Sequence, residues 1–237
     1  KVQFIRNSMA RLLNEELGID LGEGTIELTN VKEEDWANNW KKYYKPLKIG
    51  KKIVIKPSWE SYIPQEGEVV LELDPGMAFG TGSHETTSMC IELLEDKISP
   101  DVRLLDVGCG TGILSIAALL LGAHSVTAVD IDSNAVKLAK ENAKINEVSD
   151  RIFIGQGNLL DGVEGKYNII VANIIADAII EISRHINRYL EPAGIFISSG
   201  IILDRAQDVE NALERQGHSI IEKKTKGEWV AIVSQYE

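Results

Sequence analysis

A chain of 237 residues, 44% hydrophobic and 26% charged, has the make-up of one packed domain with room for an appendage, far from the low hydrophobicity of disordered segments. Its formal net charge of −11 argues against general affinity for a nucleic-acid backbone, which needs clustered Lys and Arg, and suits a basic partner instead. The two cysteines, Cys90 and Cys109, belong to no CxxC or Cys/His cluster, so neither a disulfide framework nor a metal site is supported and a reducing cytoplasm fits.

The chain opens at Lys1 with no initiator Met and no signal peptide, and is read as a fragment of a longer protein. Apolar residues at Ile5, Met9, Leu12 and Leu13 predict a helix over Ile5 to Leu17, ended by Gly18, with a short strand at Thr25 to Leu28 after it. Glu33 to Tyr44 carries Trp36, Trp40, Tyr43 and Tyr44 at three- and four-residue spacings, a helix with one aromatic face closed by Pro46. Lys52 to Lys56 and Val69 to Leu73 read as strands, with Pro57, Pro64 and Gly67 between them.

From about residue 83 helical and strand segments alternate, as in a doubly wound parallel sheet. The predicted strands are Val102 to Val107, Ser125 to Val129, Ile152 to Gly155, Asn168 to Ala172 and Gly194 to Ser199. The predicted helices are Ser83 to Asp96, Thr111 to Leu121, Ser133 to Asn146, Ala176 to Leu190 and Asp204 to Gln216. The tail differs: Ser219 to Thr225 and Glu228 to Gln235, joined by Lys226-Gly227, form a hairpin. The expectation is a Rossmann-like α/β fold with a mostly parallel seven-stranded sheet, helices on both faces and an antiparallel hairpin at the C-terminus. That is the class I methyltransferase pattern, whereas most nicotinamide-binding folds continue with a sixth parallel strand. The longest uncharged apolar run, near residues 113–123, is well short of the roughly 20 residues that span a bilayer.

The strand ending at Asp106-Val107 runs into Gly108-Cys109-Gly110-Thr111-Gly112 and then an apolar helix, a turn whose glycines let the backbone approach a ligand closely. The dinucleotide fingerprint G-x-G-x-x-G wants a third Gly where Ile113 stands, so the turn is G-x-G-x-G. Asp106 would add negative charge near a sulfonium, whereas it would repel a pyrophosphate. Asp130 ends the next strand 22 positions beyond Gly108, where an acid can accept both hydroxyls of a ribose. It could instead cap the following helix, but Asp132 or Ser133 is better placed to do so. Asn158, after the third strand, is a candidate to meet an adenine edge, with a plain loop turn as the alternative.

Asn173 follows the fourth strand, and Asn173-Ile174-Ile175-Ala176 partly resembles the Asn-Pro-Pro-Tyr element of amino-group methyltransferases, lacking both prolines and the aromatic. Its amide could accept hydrogen bonds from a target amine and aim the lone pair; a satisfied turn Asn is the alternative. The stretch Asp74 to Thr87 sets three glycines around Phe79, a loop suited to a lid. Thr86 and Thr87 start the next helix, where hydroxyls and backbone N–H groups can bind a carboxylate. His84 reads as a loop or cap residue.

Taken together these residues resemble the bacterial family that methylates large-subunit ribosomal protein L11. The matching segments are Glu34-Asp35-Trp36 through Trp40-Lys41 and Tyr44, Ile53 to Trp59, Asp74 to Thr87, Asp106 to Gly112, Asp130-Ile131-Asp132, Asn173 to Ala176 and Glu228-Trp229. The resemblance implies a cytoplasmic, monomeric protein N-methyltransferase using S-adenosyl-L-methionine, without direct nucleic-acid or membrane contact. Its substrates would be lysine side chains and the N-terminal α-amine of that basic ribosomal protein. It also implies cofactor contacts at Thr87, Gly108, Asp130 and Asn173; the mechanism expected is in-line displacement, with Asn173 orienting the nucleophile. The glycine turn adds Gly110, the third-strand loop Asn158, and the lid Phe79. The domains expected are a remnant of an N-terminal substrate-recognition domain over 1–29, a linker helix and connecting segment over 30–60, and the catalytic domain over 61–237. A class I methyltransferase acting on another protein or a small-molecule amine is the alternative, because the donor site alone names no acceptor.

Overall fold

The computed structural model describes residues 4, 5, 7–9, 44–74, 80 and 82–236 and divides the chain into two compact units, Lys1–Tyr43 and Tyr44–Glu237. In the first unit residues 4, 5 and 7–9 are helical, at the start of the helix expected from Ile5. The expected strand at Thr25 to Leu28 and all of the aromatic helix but Tyr44 lie outside the described residues.

The second unit begins with a small sheet of β1 (Leu47–Ile49), β2 (Ile53–Lys56) and β3 (Val69–Glu72), in which β2 pairs antiparallel with β1 and parallel with β3. β2 and β3 fall at the strands expected over Lys52 to Lys56 and Val69 to Leu73, while β1 is an addition to them. β1 has only three residues, too few for an alternating pattern to show in the sequence. Its turn into β2 is seated by the Glu95 carboxylate, which accepts the Lys51 amide at 2.7 Å, the Lys52 amide at 2.8 Å and the Ile53 amide at 3.0 Å.

Glu95 belongs to α1 (Glu85–Lys97), the helix that leads into the large sheet. That sheet comprises β4 (Arg103–Val107), β5 (Ser125–Asp130), β6 (Ile152–Gln156), β7 (Tyr167–Asn173), β8 (Leu190–Ile202), β9 (His218–Lys226) and β10 (Trp229–Tyr236). Their spatial order is β6-β5-β4-β7-β8-β10-β9; all neighbours are parallel except β10, antiparallel to both β8 and β9. The fold is therefore the expected seven-stranded, mostly parallel sheet with a C-terminal antiparallel hairpin.

Strict alternation along the strands puts apolar side chains on both faces, as a covered sheet requires. Leu104, Ile169, Val171, Ile197 and Ala231 pack in one core with α1, α2 (Ile113–Leu120) and α3 (Ser133–Ile145). Leu105, Ile170, Phe196, Val230 and Ile232 pack in the other with α4 (Ala176–Ser183) and α5 (Ala206–Glu214). The chain order changes direction between β4 and β7, so β4, β5 and β7 end beside one another at the topological switch point, where open α/β sheets bind ligands.

One expected element is shortened. The helix predicted to run from Ala176 to Leu190 ends at Ser183, is followed by a 3-10 turn at Ile186–Arg188, and gives way to β8 at Leu190. Ile179, Ile182 and Ile186 are all buried across that break, so a three-to-four spacing continues through two different conformations and cannot separate them. β8 accordingly starts earlier than expected, passes Ala193 at φ 60°, and slips register against β7 between Tyr167 and Ile169.

Candidate active site

The glycine turn leaves β4 and folds over the end of β5: the Gly108 and Cys109 amides both donate to the Val129 carbonyl, at 2.9 and 3.1 Å. Asp130, the last residue of β5, is held by the same loop. Its Oδ2 accepts the Gly110 amide at 2.8 Å and its Oδ1 the Asp132 amide at 2.9 Å. Each carboxylate oxygen keeps a further acceptor site, while Asp132 caps α3 by accepting the Asn134 amide at 2.8 Å. The capping role is therefore taken, and Asp130 is left to face the cavity.

Two glycines hold the other wall. Gly108, at φ 75°, leaves no room for a side chain, because a Cβ there would come to 2.5 Å from Ile174 Cγ2. Gly200, at φ 82° in β8, meets Ile174 from the opposite side, and a Cβ there would fall on the carbonyl and amide of Ile174. Ile174 is thus clamped between the ends of β4 and β8, and its amide donates to the Ser199 carbonyl at 3.1 Å. That fixes Asn173 at the mouth of β7.

The Asn173 amide nitrogen donates to Thr87 Oγ1 at 3.3 Å, and its Oδ1 is buried without a hydrogen-bond partner. Thr87 itself is fully buried in the first turn of α1. His84 caps that helix through Nδ1, which accepts the Thr86 amide at 3.3 Å and lies 2.8 Å from Thr86 Oγ1. Its ring meets Trp229 edge-on, with centroids 5.0 Å apart. Gly80 is tied to the glycine turn, since Thr111 Oγ1 donates to the Gly80 carbonyl at 2.6 Å and Asn142 Nδ2 donates to the Thr111 carbonyl at 2.9 Å.

Thr87, Gly108, Gly110, Asp130, Asn158 and Asn173 all line one cavity of about 570 Å³. Phe79 lies outside the described residues. The volume falls inside the range of small-molecule sites. Its remaining walls are largely apolar, with Ile113, Leu114, Ile131, Leu159 and Trp229 among them. Ile131, 65% exposed, has no site role assigned from the sequence, where its signal is an apolar residue directly after the strand-end acid. The contacts of Thr111 and Asn142 have no sequence signal, because each joins residues 31 positions apart.

Asp106 lies beneath the turn instead of on the cavity wall. It is fully buried, accepts the Ser115 hydroxyl at 2.6 Å through Oδ2, and has no partner at Oδ1. Burial pushes its carboxyl up to about 7, against the restraining hydrogen bond of Ser115. Burial likewise pushes the Cys90 thiol up to about 12 and raises that of Cys109, so neither offers a thiolate nucleophile at neutral pH. Among the described residues no cluster of His, Cys, Asp and Glu could hold a metal ion, and no helix is long and apolar enough to cross a membrane.

A site of this geometry fits a nucleoside-bearing donor: an acid with spare acceptor capacity at the end of β5, a backbone cradle too close for side chains at Gly108, and apolar walls between them. Comparison with known proteins gives the same direction. The family model described as ribosomal protein L11 methyltransferase (PrmA) matches residues 3–237. The ribosomal protein L11 methyltransferase of Alkaliphilus oremlandii is 52% identical over 235 residues, which cover 99% of this chain and 74% of that relative. Its counterpart from Alkaliphilus metalliredigens is 48% identical over 235 residues, with the same coverage. Among solved structures, the ribosomal protein L11 methylase of Lactobacillus delbrueckii subsp. bulgaricus superposes with a TM-score of 0.77 at 34% identity, covering 82% of this chain and all of that one. With its class I methyltransferase sheet and a sequence matched almost from end to end, the chain belongs to the ribosomal protein L11 methyltransferase family.

Proposed function

We propose that this chain transfers methyl groups from S-adenosyl-L-methionine to amines of ribosomal protein L11, namely lysine side chains and the N-terminal α-amine. The observation that carries the reading is the joint placement of Asp130 and Asn173 on one cavity wall system, the first with free acceptor sites and the second with a buried, unpartnered amide oxygen. A buried polar atom without a partner is costly, and among the described residues Asp106 Oδ1, Asn142 Oδ1 and Asn173 Oδ1 are such atoms, of which only that of Asn173 belongs to a residue lining the cavity.

S-adenosyl-L-methionine supplies a methyl group already activated by its positive sulfur, so the protein's task is alignment and exclusion of water. Asp130 accepts the ribose hydroxyls, the Gly108–Gly110 backbone allows close approach, and Asn158 meets the adenine edge. Thr87 and the N-terminal amides of α1 receive the carboxylate of the amino-acid end. Asn173 Oδ1 accepts an N–H of the incoming amine and so turns its lone pair toward the donor half of the cavity. The protein's net charge of −11 favours encounter with a basic acceptor.

The test is incubation of the protein with radiolabelled S-adenosyl-L-methionine and total ribosomal protein, followed by mass spectrometry of the labelled band. Label on lysines and the N-terminus of L11 is expected. Label on a different protein, or on none, overturns the assignment of acceptor.

A further inference from the structure

Around the β7–β8 side of the cavity mouth the protein exposes apolar side chains where solvent-facing polar residues would be ordinary. Ile175 is 70% exposed, Ile202 45% and Leu203 54%. They form one rim, because three connections bring their segments together. Ile202 pairs with Trp229 across β8 and β10, and the Leu203 amide donates to the Glu228 carbonyl at 2.8 Å. Asp177, in the first turn of α4 just after Ile175, binds Arg205 Nη2 at 2.6 Å and so draws the 3-10 turn Leu203–Arg205 against α4. Ile175 and Trp229 both also line the cavity, making the rim continuous with the site.

The charges framing this rim are mostly of one sign. Asp177, Asp204, Asp208 and Glu228 are exposed, and the cation among them, Arg205, is shared between Asp177 at 2.6 Å and Asp208 at 2.8 Å. Lys226, across the hairpin from Trp229, is engaged on α1 instead, with Nζ 2.9 Å from Ser88 Oγ and 3.9 Å from Glu92. An apolar strip bordered by carboxylates in excess of cations complements a polypeptide carrying Lys or Arg next to aliphatic side chains.

We propose that the rim formed by Ile175, Ile202 and Leu203, with the carboxylates of Asp177, Asp204 and Glu228, docks the basic polypeptide segment that flanks the acceptor amine. The inference rests on the methyl-transfer reading of the preceding section and extends it from the reacting atoms to the surface that selects the acceptor.

The experiment compares the wild-type chain with an Ile202→Ser/Leu203→Ser double variant and an Asp204→Lys variant. Each is assayed for S-adenosylhomocysteine affinity by calorimetry, for steady-state methylation of L11, and for sedimentation. The altered side chains are exposed, so donor affinity is expected to stay within twofold of wild type. KM for L11 should rise about tenfold in the double variant and about fivefold in Asp204→Lys, with kcat little changed, as for loss of docking contacts remote from the chemistry. An unchanged KM in both variants overturns the docking surface while leaving methyl transfer intact. Loss of donor affinity overturns it too, by assigning the rim to the donor site. A wild-type dimer that the double variant dissolves overturns it in favour of a second copy of the chain. Absence of any methylation by the wild type removes the reading on which the proposal rests.

Discussion

The two halves of the cavity are built differently. On the β5 side the functional group is fixed by backbone: Asp130 receives the Gly110 and Asp132 amides, and the turn above it is stitched to the Val129 carbonyl. On the β7 side it is held by a side chain: Asn173 has one 3.3 Å hydrogen bond to Thr87 and an amide oxygen left bare. Backbone donors survive most substitutions and pre-organise a site before its ligand arrives, whereas a bare polar atom is satisfied only when a ligand comes. On the proposed reading the donor half is formed in advance and the acceptor half is completed by what enters it.

On the proposed reading the largest effect comes from Asp130→Ala, which removes the carboxylate assigned to the ribose and orphans the Gly110 and Asp132 amides at once. Donor affinity measured by calorimetry should fall about 1,000-fold, with a lower melting temperature as the turn loosens. Asn173→Ala should behave oppositely, losing about 100-fold in kcat with donor affinity nearly kept, because the role proposed for it acts on the nucleophile. Equal losses in both quantities for both variants would erase the distinction. Gly108→Ala joins the two halves, since its new methyl meets Ile174 Cγ2 at 2.5 Å in a backbone conformation with φ 75°. A destabilisation of about 2 kcal/mol by chemical denaturation is expected.

The smallest effect is a pair of opposed pH dependences that separates the site from the scaffold. Buried His218 receives Ser234 Oγ at Nδ1 and binds Asn187 Oδ1 through Nε2, and burial lowers its pKa to about 4. Its stabilising contribution is complete above pH 6.5 and is lost as pH falls toward 4. Asp106, held up at about 7 by burial, contributes fully below its unfolded value near 4 and loses that contribution as pH rises toward 7. Between those limits the two slopes offset each other. Asp106→Asn should therefore steepen the acid loss of stability, and His218→Asn should reverse its sign, each read as the slope of the denaturation midpoint against pH between about 4 and 7. Parallel slopes in the two variants would refute the opposition.

The sheet was readable because its strands obey local rules. Leu104-Leu105 and Ile169-Ile170-Val171 are the continuous apolar runs of strands covered on both faces, and Lys226-Gly227 marks the final hairpin. The length of the helix after β7 is not legible in the sequence, because burial at Ile179, Ile182 and Ile186 has the same spacing on either side of its end. That Gly108, Asp130 and Asn173 meet at one cavity is legible from their positions at strand ends. The Thr111–Gly80 and Asn142–Thr111 bonds are not, since a hydroxyl and an amide in a helix or turn announce no partner until the chain is folded.

The clamp on Ile174 also sets which positions are free to drift. At Gly108 the obstacle is the tip of a side chain, so a smaller residue at position 174 would relieve the contact and leave only the cost of the backbone angle. At Gly200 the obstacle is the peptide of Ile174 itself, which every residue type carries. Position 108 can therefore exchange in concert with 174, whereas 200 has no compensating partner. A library randomised at 108, 174 and 200 and sorted for folding alone should return paired solutions at the first two and glycine alone at the third.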